Sequence, residues 1–149
     1  MLKTTTRIIA FTSLFLGLPN AYSHQTITNI ETFEWKNRII LIRENVDCKN
    51  TISNLKKAKN KIDERHVLWF VLCNQNHLIS NVDGDISSTL LNSISKKYFN
   101  KKTHNIVLIG KDGGIKYRSS TLHLNEINTL IDSMPMRQTE MREAKTKLD

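Results

Sequence analysis

The sequence predicts an α/β fold in which a central mixed sheet carries helices on both faces, and three observations point to it. Two short, almost wholly apolar runs, residues 38–43 and 66–73, flank a stretch of helical periodicity, the pattern of a strand, a crossover helix and a parallel strand. Further on, two strand-like runs meet at Lys111-Asp112-Gly113-Gly114, where glycine offers positive φ at no steric cost, so a tight antiparallel hairpin is expected. An amphipathic face made of Leu124, Ile127, Leu130, Ile131 and Met134 then predicts a closing helix.

Each element can be justified in turn. Residues 26–35 form a mixed lead-in, with Phe33 and Trp35 expected to pack over the start of the first strand. That strand, residues 38–43, is apolar on both faces, as a fully covered strand must be. After the polar turn at residues 44–47, Ile52, Leu55, Ala58 and Ile62 share one helical face and lysines occupy the other. Residues 66–73 are too short and too rich in β-favouring side chains for a helix, so they form the second strand. Residues 74–85 read as a polar loop with Asn81-Val-Asp-Gly-Asp85 as its turn signal. Leu90, Leu91, Ile94 and Tyr98 mark a second helix, which Ser87 or Ser88 can cap.

In the hairpin, residues 106–109 are apolar, while Ile115 and Tyr117 alternate with Lys116 and Arg118 as on an edge strand. Pro135 interrupts or restarts the last helix, and residues 139–149 read as a charged, frayed tail. The order β-α-β, α, β-hairpin, α is the plan of a thioredoxin-like fold.

The N-terminus reads as a cleavable signal peptide over residues 1–23. Lys3 and Arg7 precede an apolar stretch over residues 8–18, and Ala21-Tyr22-Ser23 supplies a small-residue cleavage pattern. The stretch is shorter than the roughly 20 residues a membrane span needs, and no other run approaches that length. No cysteine stands near the cleavage point for a lipid anchor. An exported domain over residues 24–142, periplasmic or secreted, is therefore expected, with a charged tail over residues 143–149. Loss of Lys3 and Arg7 takes the formal charge from +8 to +6. The remaining lysines cluster at Lys56, Lys57, Lys59 and Lys61, and at Lys96, Lys97, Lys101 and Lys102. These runs fall on the outer faces of expected helices without interleaved aromatics, which argues against nucleic acid. Attraction to anionic surfaces, or to an extracytoplasmic protein, suits the charge better.

Four pieces of sequence carry a family resemblance: Trp35-Lys-Asn-Arg38, Asp63-Glu-Arg65, Leu108-Ile-Gly110-Lys111-Asp112-Gly113-Gly114-Ile-Lys116, and Asp132-Ser-Met134-Pro135-Met136-Arg137. Over residues 35–141 the chain resembles the domain of unknown function 4174 family, found in exported bacterial proteins and as a module of equarin-type extracellular proteins. That resemblance implies a thioredoxin-like fold related in shape to peroxiredoxins. It implies no activity, because such folds host oxidoreductases, peroxidases and inert binding modules alike.

The chemistry such a fold offers would sit where the first strand feeds its helix, at Asp47-Cys48-Lys49-Asn50-Thr51. A thiol at a helix N-terminus ionises more readily, with Lys49 helping and Asp47 opposing. Thr51 stands where a Cys-x-x-Cys motif has its second sulfur, and a hydroxyl cannot resolve a mixed disulfide. Thr103-His104-Asn105 stands where thioredoxins carry a cis-proline, and Asn45 replaces the threonine of the peroxiredoxin pattern. Cys73, the only other cysteine, ends the second strand, so the two sulfurs can meet at one end of the sheet. Three states are open to them: a structural disulfide, a redox pair in which Cys48 attacks and Cys73 resolves, or two thiols put to other use.

His66, His77, His104 and His123 lack the spacing of a metal site, and no metal or cofactor is expected. The glycines at 110, 113 and 114 serve a hairpin instead of opening a helix, so a phosphate loop is not implied. Met134, Met136 and Met141 suit core packing and tail contacts, and Asp132 with Arg137 suits a local ion pair or a cap at Pro135. The sequence thus reads as an exported, non-catalytic binding or accessory domain. The alternative is a thiol-dependent oxidoreductase or peroxiredoxin-like peroxidase built on Cys48.

Overall fold

The computed structural model describes residues 26–74, 77–101 and 103–147; the expected signal peptide lies outside them. The chain runs β1 (Thr26–Ile27), a single turn of 3-10 helix, β2 (Arg38–Glu44), α1 (Cys48–Lys57), α2 (Lys59–Glu64), β3 (Val67–Cys73), β4 (His77–Ser80), β5 (Asp85–Ile86), α3 (Ser88–Tyr98), β6 (Ile106–Ile109), β7 (Ile115–Ser119), α4 (Leu124–Asp132) and α5 (Pro135–Thr146). Five strands form the main sheet in the order β4-β3-β2-β6-β7. Its centre is the parallel pair β2 and β3, in register from Arg38 opposite Val67 to Glu44 opposite Cys73. β6 then joins β2 antiparallel, and β7 closes the hairpin as an edge. The parallel crossover and the antiparallel hairpin are those expected from the apolar runs.

Period-two alternation divides the core between the two faces of the sheet. Ile39 and Leu41 meet Leu90, Ile94 and Tyr98 of α3 on one side. Ile40 and Ile42 meet Leu55, Ile62, Ile127 and Ile131 from α1, α2 and α4 on the other. The middle of β2, residues 39–42, is apolar throughout because neither face reaches water there. The exposed positions of α1 and α2 carry Lys56, Lys57, Lys59 and Lys61, as expected.

Four expectations are corrected. Residues 74–85 are not all loop, because β4 pairs antiparallel with β3, from Cys73 opposite His77 to Phe70 opposite Ser80. The ladder is prolonged by a side chain: Asn81 accepts from the Trp69 N–H at 2.8 Å and donates to the Val67 carbonyl at 3.3 Å. The single helix expected over residues 52–62 is two helices, α1 and α2, parted at Ala58, with Leu55 and Ile62 both still buried. Trp35 does not pack over β2. It takes φ 64° and is 65 % exposed, while Phe33 alone turns inward, its ring 6.3 Å from that of Phe70. Finally, residues 139–146 are not a frayed tail but most of α5, started by Pro135 in its first turn, where a missing N–H costs nothing.

Candidate functional site

Two groups of side chains lie at opposite ends of β2, roughly 20 Å apart over six residue steps. At the C-terminal end of the parallel strands, Cys48 opens α1 and Cys73 ends β3. The two are joined by a disulfide, with their Cα atoms 5.9 Å apart. Of the three states open to the sulfurs, two free thiols are not the one present; the bond is common to a structural disulfide and to the oxidised form of a redox pair.

Two carboxylates, Glu44 and Asp47, stand at the helix start that carries Cys48. Asp47 caps α1 by accepting from the Asn50 N–H at 3.1 Å. Glu44 accepts from the Val46 N–H at 2.9 Å, from the Asp47 N–H at 3.3 Å and from the Thr51 hydroxyl at 3.1 Å. The Val46 N–H, against the upward push of burial and with help from Asp47 and Thr51, holds the Glu44 carboxyl below its ordinary range. Thr51 therefore serves Glu44 and not a sulfur. Backbone N–H groups that would favour a thiolate are taken by two carboxylates, which oppose one.

The other end of the sheet gathers the family signature. Gly110 and Gly114 close the β6–β7 turn through a 2.8 Å backbone bond, and Gly113 supplies its φ of +73°. Lys116 reaches back over Gly110 to Asp112 at 2.6 Å; a Cβ on Gly110 would come within 2.6 Å of the Lys116 chain. Trp35 is tied to the same turn, its N–H donating to the Lys111 carbonyl at 2.6 Å.

Beneath the turn lies an ion network centred on Glu140 of α5. Arg38, only 1 % exposed, donates to both oxygens of Glu140 at 3.1 Å. Lys111 adds a 2.8 Å contact, Arg137 one of 3.6 Å, and His66 lies 3.8 Å away. Burial alone would raise the Glu140 carboxyl; hydrogen bonds from Arg38 and Lys111, with their charges, overcome it and hold the group at about 2. His66 is pushed down instead, by burial first and then by the charge of Lys111. The expected pairing of Asp132 with Arg137 exists at 3.4 Å, yet each has a closer partner: Arg65 for Asp132 at 2.6 Å, Glu64 for Arg137 at 2.8 Å. Glu140 is the residue that sequence reasoning missed. Its only local signal was the three-residue spacing from Arg137.

A notch of about 320 Å³ opens beside this network, between the hairpin turn and the α4–α5 junction. Arg38, Gly110, Lys111, Asp112, Lys116, Met134, Pro135 and Met136 line it. All eight belong to the segments that carried the family resemblance. Met134 packs partly against the core, as expected, but Met136 is 40 % exposed where it lines the notch. Among the described residues, no His, Cys, Asp and Glu side chains group as metal ligands, and no helix is long and apolar enough to cross a membrane.

Comparison with known proteins agrees with this architecture. The family described as Domain of unknown function (DUF4174) matches residues 29–140. Comparison with curated proteins finds no match. Among solved structures, a reduced 2-Cys peroxiredoxin from Plasmodium vivax is similar at a TM-score of 0.53 and 19 % identity, over 74 % of this chain and 72 % of that one. At that identity the likeness is one of fold, and the fold is thioredoxin-like.

Proposed function

This chain belongs to the DUF4174 family, and from that premise we propose that it is an exported, non-catalytic binding or accessory domain of the cell envelope or extracellular space. In this reading the Cys48–Cys73 bridge is a structural cross-link. The observation that carries it is the pair of carboxylates, Glu44 and Asp47, at the helix end where Cys48 sits. A reactive cysteine needs an electropositive surrounding that stabilises its thiolate, and here Glu44 and Asp47 oppose what Lys49 favours. The leader-like N-terminus supports export, and a disulfide suits an oxidising compartment.

A second reading is favoured by position alone. The bridge sits at the C-terminal ends of the parallel strands, where thioredoxin-like enzymes keep their thiols, so a thiol peroxidase or oxidoreductase using Cys48 is the alternative. Equilibration against thiol buffers of known potential separates the two. A structural bridge should have a potential below about −300 mV, and the reduced protein should alkylate at Cys48 only slowly at neutral pH. A bridge reduced by glutathione, with thiol-dependent peroxide turnover abolished in Cys48→Ser, would overturn the non-catalytic reading.

A further inference from the structure

The geometry points to a ligand site in the notch of the hairpin turn, and we propose that it binds a free carboxylate carrying a medium-length apolar chain. This deepens the binding-domain reading and rests on it. The floor is Met134, Pro135 and Met136, and unbranched thioethers adapt their shape to a flexible chain. The lip is cationic, with Arg38, Lys111 and Lys116 against Asp112. Glu140 and the neighbouring pairs neutralise part of that charge. Across the whole network five cations (Arg38, Arg65, Lys111, Lys116, Arg137) face four carboxylates (Glu64, Asp112, Asp132, Glu140), which leaves one positive charge over.

Arg38 shares one feature with Arg65, which does not line the notch. The Arg38 Nε is buried and, among the described residues, has no hydrogen-bond partner, although the guanidinium head is engaged with Glu140 and with the Arg65 carbonyl. An Nε without exposed surface is out of a ligand's reach, so Arg38 contributes charge to the lip and not a free donor. The volume of about 320 Å³ equals that of roughly ten waters, enough for a short acyl chain with its head at the cationic lip. Charge and floor together thus specify an anionic head on an apolar body.

The test is an amide NMR titration of the purified, disulfide-intact protein with octanoate, hexanoate, octanol and acetate as probes. Octanoate should give saturable shifts concentrated at Gly110, Lys111, Lys116 and Met136. Each methylene removed should weaken binding by up to about fourfold, and acetate and octanol should each bind at least about tenfold more weakly. Met136→Glu, at an exposed position that leaves the core intact, should abolish binding. Shifts scattered over the lysines of α1 and α2, octanol binding as tightly as octanoate, or unchanged binding by Met136→Glu would overturn the site. A peptide with a free C-terminal leucine that binds there while octanoate does not would overturn the choice of ligand. Failure of all probes with an irreducible bridge leaves the non-catalytic reading standing; octanoate binding with a labile, catalytic bridge does the opposite.

Discussion

Replacing Glu140 by Gln should unlock α5 and destabilise the domain. The helix buries only Arg137 among its own residues, so charge, more than apolar area, holds it to the body. Glu140 is held at about 2 against an ordinary 4.5, which corresponds to roughly 3 kcal/mol at neutral pH. An independent argument reaches a similar size: removing one partner of Arg38, which is 1 % exposed, leaves an uncompensated buried charge at a cost of about 3–5 kcal/mol.

The sign with pH follows from the depressed carboxyl. The stabilisation is complete above the unfolded value of 4.5 and is lost as pH falls toward about 2. The difference between wild type and Glu140→Gln should therefore be about 3 kcal/mol at pH 7 and shrink steadily below pH 4.5. Urea denaturation followed by the fluorescence of buried Trp69 measures it, with far-ultraviolet circular dichroism to confirm that both proteins fold. The double variant Arg38→Met with Glu140→Leu should lose less than Glu140→Gln, because the most deeply buried charge, that of Arg38, is not left stranded. A loss under about 1 kcal/mol that does not change with pH would refute the account of α5 as an ionically held helix.

Reduction of the bridge, or Cys48→Ser with Cys73→Ser, should cost about 3 kcal/mol for the loop closed over a separation of 25 residues; equal urea midpoints with and without reductant would contradict this. His66 should titrate below 6.5 because burial and then Lys111 disfavour its charged form, so the stability it contributes is present above pH 6.5 and falls as pH drops through its lowered value. Lys111→Gln should raise that titration point in a histidine NMR titration. Asn81→Ala should leave the Trp69 N–H and the Val67 carbonyl unpaired at a cost of about 1–3 kcal/mol, and hydrogen exchange at Trp69 should accelerate selectively; unchanged exchange would show that the edge of β3 has another partner.

Local pattern made most of the architecture legible. The apolar runs at β2 and β3, the Asp-Gly-Gly turn and the helical faces at Ile94 and Ile127 each declare themselves within a dozen residues. β4 did not, because it is a half-exposed edge of four residues in which Leu78 packs inward while His77 and Ile79 stay exposed. Trp35 misled for a related reason: hydrophobicity predicts burial on average, but φ 64° at that residue accompanies an outward-facing indole. Cys48 and Cys73 were placed near one another by topology, yet spacing left the state of the sulfurs open.

What the sequence alone determined is the order of elements and the sheet they build, since periodicity and turn chemistry act over neighbouring residues. Only the tertiary structure decided that Arg38, Lys111 and Arg137, drawn from a strand, a turn and a helix, converge on Glu140. It also decided that Glu44 joins Asp47 at the helix start that carries Cys48. Charges have no period along a chain; they find partners where the ends of strands and helices happen to meet, and burial then sets how strongly each pair is felt.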